Sequence, residues 1–368
     1  MLKRTACLAV GATSALIAGC NVVAPLAQPT TTTQSIVAPE RATRVVTGDG
    51  GMVVMIGANG VKRSSDAGRS WEAFGPAGEP VPGRSLAARG SELAVVTVQG
   101  GALILNRSSD HGATWSSQPI LHDVAGPDVS DIAVSLSQDG QSTAITVGLA
   151  GAAGAFRPGW IIVAQKQATS SARSMPAAGT VSWQGNRLVL VEAAAAGRLY
   201  TSDDLGATWV QRPVLSAIAA GQDVAPDAPS PGVAVPRPDG TAVVPVVTHS
   251  GKATLVAAVL DARGSMTTVG SVDLVGDVGA GVRALATSAG DRVVILDPTS
   301  PRLLVVTGDA VTIVPAAGLP AAPTSVTFAD AQFGYAETTV VSCQAKDQCT
   351  NQTQHFRTSD GGGSWTPA

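Results

Sequence analysis

Apolar residues in this chain come in short runs separated by glycine-rich turns, and the runs have the length and the β-branched content of strands. One stretch reads RSLAA from Arg84, a turn RGS, ELAVVTV from Glu92, a turn QGG, then ALILNR from Ala102 and TWSSQ from Thr114. Another reads GVAVP from Gly232, a turn PDG, TAVVPVV from Thr241, a turn HSG and KATLVAAVL from Lys252. The first stretch spells four strands and the second three, and the middle runs lack the alternation of a half-exposed strand. They read as strands covered on both faces. Pro245 lies inside one such run, where it removes a ladder donor and predicts a bulge or a shortened strand.

A turn pattern, Ser/Thr-x-Asp-x-Gly-x-Ser/Thr-Trp, recurs four times: SSDAGRSW from Ser64, SSDHGATW from Ser108, SDDLGATW from Ser202 and TSDGGGSW from Thr358. The gap from Asp66 to Asp110 is 44 residues, that to Asp204 is 94, and that to Asp360 is 156. A four-stranded propeller blade takes roughly 40–50 residues, so these gaps are one, two and three blades. The fold predicted is all-β: a seven-bladed propeller of four-stranded antiparallel blades. Its blades begin near Ala42, Arg84, Val129, Thr180, Gly232, Val282 and Pro323. The last repeat ends three residues before the C-terminus, which leaves little chain for a fourth strand in blade seven. An N-terminal strand, Ser35–Pro39, is expected to close that blade, since an open edge would be exposed.

The pattern resembles the Asp-box, or BNR, repeat of sialidases, sortilin-type receptors and photosystem II assembly factors. The resemblance implies that each repeat forms the turn between the third and fourth strands of a blade. In that turn Asp66, Asp110, Asp204 and Asp360 accept backbone hydrogen bonds. Gly68, Gly112, Gly206 and Gly362 supply positive φ. Trp71, Trp115, Trp209 and Trp365 begin the fourth strands and pack between blades. The alternative, that the carboxylates bind calcium or catalyse, is weakened because one carboxylate per turn makes a poor cage.

The N-terminus reads as an export signal: Lys3 and Arg4, an apolar stretch from Thr5 to Leu16, then Ile17-Ala18-Gly19 before Cys20. This ending resembles the bacterial lipobox, whose cysteine receives a diacylglycerol; an ordinary signal peptide is the alternative. The division expected is a lipoprotein signal peptide over 1–19, the lipidated Cys20 with a Thr/Pro-rich tether over 20–34, and the propeller over 35–368. The location expected is the extracytoplasmic face of a bacterial cell membrane. Cys7 leaves with the signal, so Cys343 and Cys349 remain and are expected to form a disulfide in an oxidising compartment. A metal site is the alternative there.

Composition supports a secreted globular domain. The chain has 41 glycines, 4% aromatic and 14% charged residues, and removal of Lys3 and Arg4 takes its formal charge from −3 to −5. No basic cluster suited to nucleic acid is present. The sialidase chemistry that the resemblance implies needs an arginine triad, a Tyr–Glu pair and an acid/base aspartate. Phe156-Arg157-Pro158-Gly159 is a poor match to the first arginine motif, and Tyr200 and Tyr335 are the only tyrosines. Neither is favourably spaced from Glu192 or Glu337. His111, His122, His249 and His355 are scattered, and His249-Ser250-Gly251-Lys252 reads as a turn. The expectation is a monomeric, non-enzymatic binding or assembly scaffold for a protein partner, without cofactor or metal. Phe156, Arg157 and Trp160 are its candidate contact cluster; the competing reading packs Trp160 inward. The alternative function is a glycan-binding or sialidase-like protein, and arginines and carboxylates converging on the channel mouth would favour it.

Overall fold

The middle runs become the second and third strands of seven sheets, and each sheet stacks against two others. The computed structural model describes residues 43–46, 52–57, 60–65, 70–76, 78–81, 83–122, 129–150, 156–165, 172–192, 198–212, 230–249, 252–276, 278, 282–320, 323–345 and 348–368. Within these, some strand residues, including Phe156, Arg157, Cys343 and Cys349, are described by backbone alone. The expected signal, Cys20, the expected tether, Ser35–Pro39, Asp66 and Gly68 lie outside the described residues. All described elements are strands, and among the described residues no helix is long and apolar enough to cross a membrane.

The inner strands of blades one to seven are Thr43–Val46, Leu86–Arg89, Val129–Leu136, Gly179–Gln184, Val235–Pro236, Ala286–Ala289 and Ser325–Phe328. Each touches the next, and the seventh touches the first, so the ring is closed. The strands within each blade pair antiparallel in chain order. Three sheets gain a fifth member. Blades two and five have split inner strands, and Gly83–Arg84 adds a short parallel pair to blade three. The blade starts agree closely with those read from the spacing. Second and third strands are apolar on both faces because a neighbouring blade covers each face: Leu93, Ala94, Val95 and Val96 are all fully buried. Fourth strands lie at the rim, and Met266–Asp273 is correspondingly exposed over much of its length.

Seven apolar clusters follow among the described residues, one at each junction between neighbouring blades. The smallest joins blades seven and one, where Val53 and Trp71 meet Tyr335 and Ala329. Blade seven's place for a fourth strand is taken by the chain's own last residues. Thr366–Pro367 pairs with Phe356 and Arg357, and Ala368 N–H donates to His355 O at 2.9 Å. Ser35–Pro39, expected to close this blade, lies outside the described residues.

Pro245 acts on its neighbour and leaves its own strand intact. Ala242–Thr248 runs unbroken, while the inner strand beside it splits into Ser230–Pro231 and Val235–Pro236. Pro245 O accepts from Gly232 N–H at 2.7 Å, so the missing N–H of Pro245 also faces the inner strand. The break therefore falls on that side. Gly232 is required there, because a Cβ would lie 2.5 Å from Ala284 O and 2.7 Å from Pro245 Cγ.

Candidate functional site

Three of the repeat turns are described completely, and their geometry is nearly identical. In blade two Asp110 Oδ1 accepts from Ser108 Oγ at 2.7 Å and from Thr114 N–H at 2.9 Å, while Oδ2 accepts from Thr114 Oγ1 at 2.6 Å. Ser108 Oγ in turn accepts from Gly112 N–H at 2.7 Å. Asp204 repeats this with Ser202, Thr208 and Gly206, and Asp360 repeats it with Thr358, Ser364 and Gly362. Donation by the second hydroxyl, then by its backbone N–H, then by the first hydroxyl holds all three carboxyls down to about 2. A carboxyl lowered in the fold stabilises it above the ordinary carboxyl range of about 4, and that contribution fades as pH falls through about 2. NMR titration of the full chain is therefore expected to give midpoints near 2 for Asp110, Asp204 and Asp360. Midpoints near 4 would show that the turns do not hold in solution.

The glycine of each turn has a second duty. Gly112, Gly206 and Gly362 have φ of 80°, 85° and 99°, and each also receives a side chain from the preceding blade. A Cβ on Gly112 would lie 1.8 Å from Phe74 Cζ, one on Gly206 3.0 Å from Ile161 Cγ2, and one on Gly362 2.3 Å from Leu303 Cδ1. The tryptophans also face the preceding blade. Trp71 joins the cluster with blade seven, Trp115 that with blade one, Trp209 that with blade three and Trp365 that with blade six. Only Trp365 is fully buried; the other three are half-buried. A fifth ring, Trp183, lies outside any repeat and ties blade four to blade three through Nε1–H to Ser135 O at 3.1 Å.

Because the strands are antiparallel, each blade's first and third turns share one face, where the repeats lie. The second turns and the links between blades share the other, the loop face. The blade-three strand Phe156–Gln165 starts at this face, but Trp160 packs against the cluster between blades two and three. The packed alternative thus describes its ring. Two open polar clefts, of about 530 and 610 Å³, lie on the repeat face between blades two and three and between three and four. Their walls are largely turn residues such as Ser108, Thr114 and Asp139.

At the loop face, charged groups converge on the start of blade four's inner strand. Arg84, in the segment paired with blade three, donates from Nη2 to Thr180 Oγ1 at 2.6 Å. Arg283, just ahead of blade six, donates from Nη2 to Glu192 O at 3.0 Å. Thr180 pairs with Val191 and its neighbour Gly179 with Glu192, so the two arginines arrive at adjacent positions from opposite sides. The Glu192 carboxylate is 5% exposed and is gripped by Arg198, with Nε to Oε2 at 2.7 Å and Nη2 to Oε1 at 2.9 Å. That hydrogen bond, then the Glu192 charge, raises the Arg198 guanidinium. Burial, then the charge of Arg84, lowers Arg283, and Glu192 opposes this. The sequence offers a signal for this group that motif reading passes over. Residues just before an inner strand, or at the end of a second strand, face the mouth, and Arg84, Arg283 and Glu192 hold such positions.

The two tyrosines go to blade junctions: Tyr200 to that of blades three and four, and Tyr335 to that of blades seven and one. Glu337 Oε2 accepts from Ser325 Oγ at 3.1 Å, and its Oε1 lies 3.4 Å from His355 Nδ1. No group of three or more metal-ligating side chains is present among the described residues.

Among the described residues, blade seven carries the largest projection on the loop face. Its second and third strands, Gly334–Ala345 and Gln348–Thr358, outrun their neighbours: the inner strand reaches Glu337 and the outer one His355. From Thr338↔Gln354 to Ala345↔Gln348 the two strands pair only with each other among the described residues. Eight residues of ribbon extend about 26 Å at about 3.3 Å per residue. Cys343 lies opposite Cys349. Glu337 O and His355 O both accept from outside the ribbon, which makes Glu337↔His355 a non-hydrogen-bonded pair. Cys343↔Cys349, six residues further with no intervening register shift, is one as well. Such pairs hold their Cα atoms about 4.5 Å apart, within the span of a disulfide.

No protein-family model matches the chain, and no curated protein matches it. Solved structures do. A puromycin-hydrolyzing peptidase of Mycobacterium tuberculosis is 16% identical with a TM-score of 0.55, covering 89% of this chain and 53% of the peptidase. A prolyl endopeptidase is 12% identical with a TM-score of 0.52, covering 89% and 49%. These likenesses show the fold. The chain spans about half the length of those two peptidases. YCF48 from Cyanidioschyzon merolae is 13% identical over 90% of this chain and 86% of its own, at a TM-score of 0.32 that supports no argument. The expectation of a non-enzymatic protein is corrected: two peptidases share the fold, so the fold gives no ground for excluding catalysis. Identity this low assigns no activity either.

Proposed function

We propose that this propeller binds an extracytoplasmic protein partner on its loop face, beside a bacterial membrane to which a lipid on Cys20 tethers it. The observation that carries this reading is the blade-seven ribbon, whose two edges pair with no other strand among the described residues. A bare ribbon of two strands is marginal in water, and unpaired strand edges are ready acceptors of another chain. The register of Cys343 and Cys349 supports a disulfide that staples the ribbon near its tip. A ring this short contributes about 2 kcal/mol to the ribbon's stability. The lipid and the tether are supported by sequence: a cysteine after Ile17-Ala18-Gly19, then Asn21–Gln34, which spans at most about 50 Å extended.

Photo-crosslinkers at Val341 and Asn351 of the full-length lipoprotein, in its own membranes, test the reading. The expected result is one common cross-linked protein from both positions, absent with a crosslinker at Arg263 on the repeat face and lost with Cys343→Ser. No adduct at the ribbon, or the same adduct from Arg263, would refute it. A second reading, an acidic-glycan binder, is favoured by the arginines at the mouth. Selective capture of sugar acids on a glycan array, with no protein adduct, would choose that reading.

A further inference from the structure

We propose that the rim strand of blade six, Ala310–Pro315, is a dimerisation edge that pairs antiparallel with the same strand of a second copy of this chain. The outer edge of a sheet offers its N–H and C=O groups to any extended strand, and proteins blunt such edges by shortness, proline, bulges or charge. Among the described residues, six of the seven rims carry one of these devices. Glu72–Phe74, Ala172–Ser174, Val210–Arg212 and Thr366–Pro367 are three residues long or fewer. Ser116–Leu121 has a register shift at Pro119, and Met266–Asp273 lies against one between Ala257 and Ala258. Ala310–Pro315 is not blunted. It pairs with Arg302–Thr307 at all six positions without a shift, holds no charged residue, and has its one proline at the very end.

Ladder parity fixes what this edge presents. Ala316 N–H donates to Pro301 O at 2.8 Å, while Arg302 O accepts from Asp297 N–H at 3.1 Å on its other side. Arg302↔Pro315 is therefore a non-hydrogen-bonded pair, and so, at steps of two, are Leu304↔Ile313 and Val306↔Val311. The N–H and C=O groups of Val311 and Ile313 thus point outward. The strand's own sequence names the occupant. Ala310-Val311-Thr312-Ile313-Val314 is nearly symmetric about Thr312, with β-branched residues at equal distances on either side. A two-fold axis through Thr312 sets Val311 of each copy against Ile313 of the other, and each such pair exchanges two backbone hydrogen bonds. Cross-strand β-branched pairs of this kind stabilise sheets, and Ile313, which is 49% exposed, gains cover. Thr312 then faces Thr312 of the other copy with Cα atoms about 4.5 Å apart. No like charges are opposed, because the flanking Asp309 meets Pro315. This departs from the monomer expected from sequence, where neither edge nor register is visible. It stands apart from the partner reading, because the ribbon takes no part in it.

The test is sedimentation velocity of the full-length chain in detergent over a range of concentrations. The expected result is a reversible monomer–dimer equilibrium, with a dissociation constant on the order of tens of micromolar because one strand edge covers little area. Thr312→Lys and Thr312→Glu, at an exposed position, are each expected to weaken dimerisation at least tenfold, since the axis sets like charges opposite each other. Mixed in equal amounts, the two variants should regain the dimer, a result that requires residue 312 to meet itself. Under mild oxidation Thr312→Cys should give a disulfide-linked dimer beyond the parent's background, and Ala310→Cys, opposite Val314, should not. A chain that stays monomeric, a dimer indifferent to Lys or Glu, or variants that fail to recombine would overturn the proposal. A photo-crosslinker at Thr312 that captures a different protein and not this chain would assign the edge to a foreign strand and overturn it too.

Discussion

Trp365→Ala is expected to lower stability by about 4 kcal/mol, the range for a large aromatic deleted from a packed core. Trp365 is 4% exposed and sits where blade seven meets blade six, against Leu296, Leu303 and Phe356. Its ring meets Phe328 edge-on at 5.9 Å and 80°, and its Nε1–H donates to Gly362 O at 2.9 Å. Ala would leave a cavity, drop the aromatic pair and strand that carbonyl. The same change at Trp209, which is half-buried and whose Nε1 finds no acceptor among the described residues, is expected to cost roughly half as much. Urea unfolding of the two variants beside the parent measures both effects. Equal losses would show that the tryptophans act through the turn and not through burial. Trp365 also flanks the short strand that completes blade seven, so exchange of the blade-seven amides should rise before global unfolding.

What could be read from residues alone was set by local patterns. Val129 and Thr180 mark blade starts to within a residue, because runs of valine and leucine between glycine turns can be covered on both faces only in stacked sheets. Unmotifed blade five is legible for the same reason, through TLVAAVL. Contacts made across the ring were not legible. Arg84 meets Thr180 at a separation of 96 residues, and Arg283 meets Glu192 at 91, so no spacing along the chain announces either. Trp160 was ambiguous for a related reason. An aromatic near the start of a strand faces a loop or a neighbouring blade depending on how that neighbour is placed. The consequence of Pro245 was read at the correct residue but on the wrong strand, since the side that loses a donor depends on ladder parity. A two-residue strand such as Thr366–Pro367 carries no periodic signal.

Gly112→Ala exposes the part of the repeat that positive φ alone does not explain. If the glycine served only the turn, alanine at φ 80° would cost about 1–2 kcal/mol, and Gly206, at φ 85°, would cost the same. The packing predicts a difference. At Gly112 the new methyl would fall 1.8 Å from Phe74 Cζ, with two further ring atoms within 2.9 Å, whereas at Gly206 its nearest neighbour is Ile161 Cγ2 at 3.0 Å. Phe74 has little room to retreat, since it stacks edge-on with Trp115 at 5.8 Å and carries the Arg63 guanidinium 4.8 Å above its ring. Overpacking of a fitted site adds about 1–3 kcal/mol, so Gly112→Ala is expected to cost about 4 kcal/mol and Gly206→Ala about 2. Shortening the obstructing ring is the decisive control. In Phe74→Leu the added penalty of Gly112→Ala should largely vanish, leaving the φ cost, and the double-mutant cycle should give a coupling of about 1–2 kcal/mol. Equal costs at the two glycines, or additivity with Phe74→Leu, would mean that the turn tolerates the methyl by moving as a body away from blade one. The repeat would then be a local turn device only, and the ordering of neighbouring blades would rest on the tryptophans.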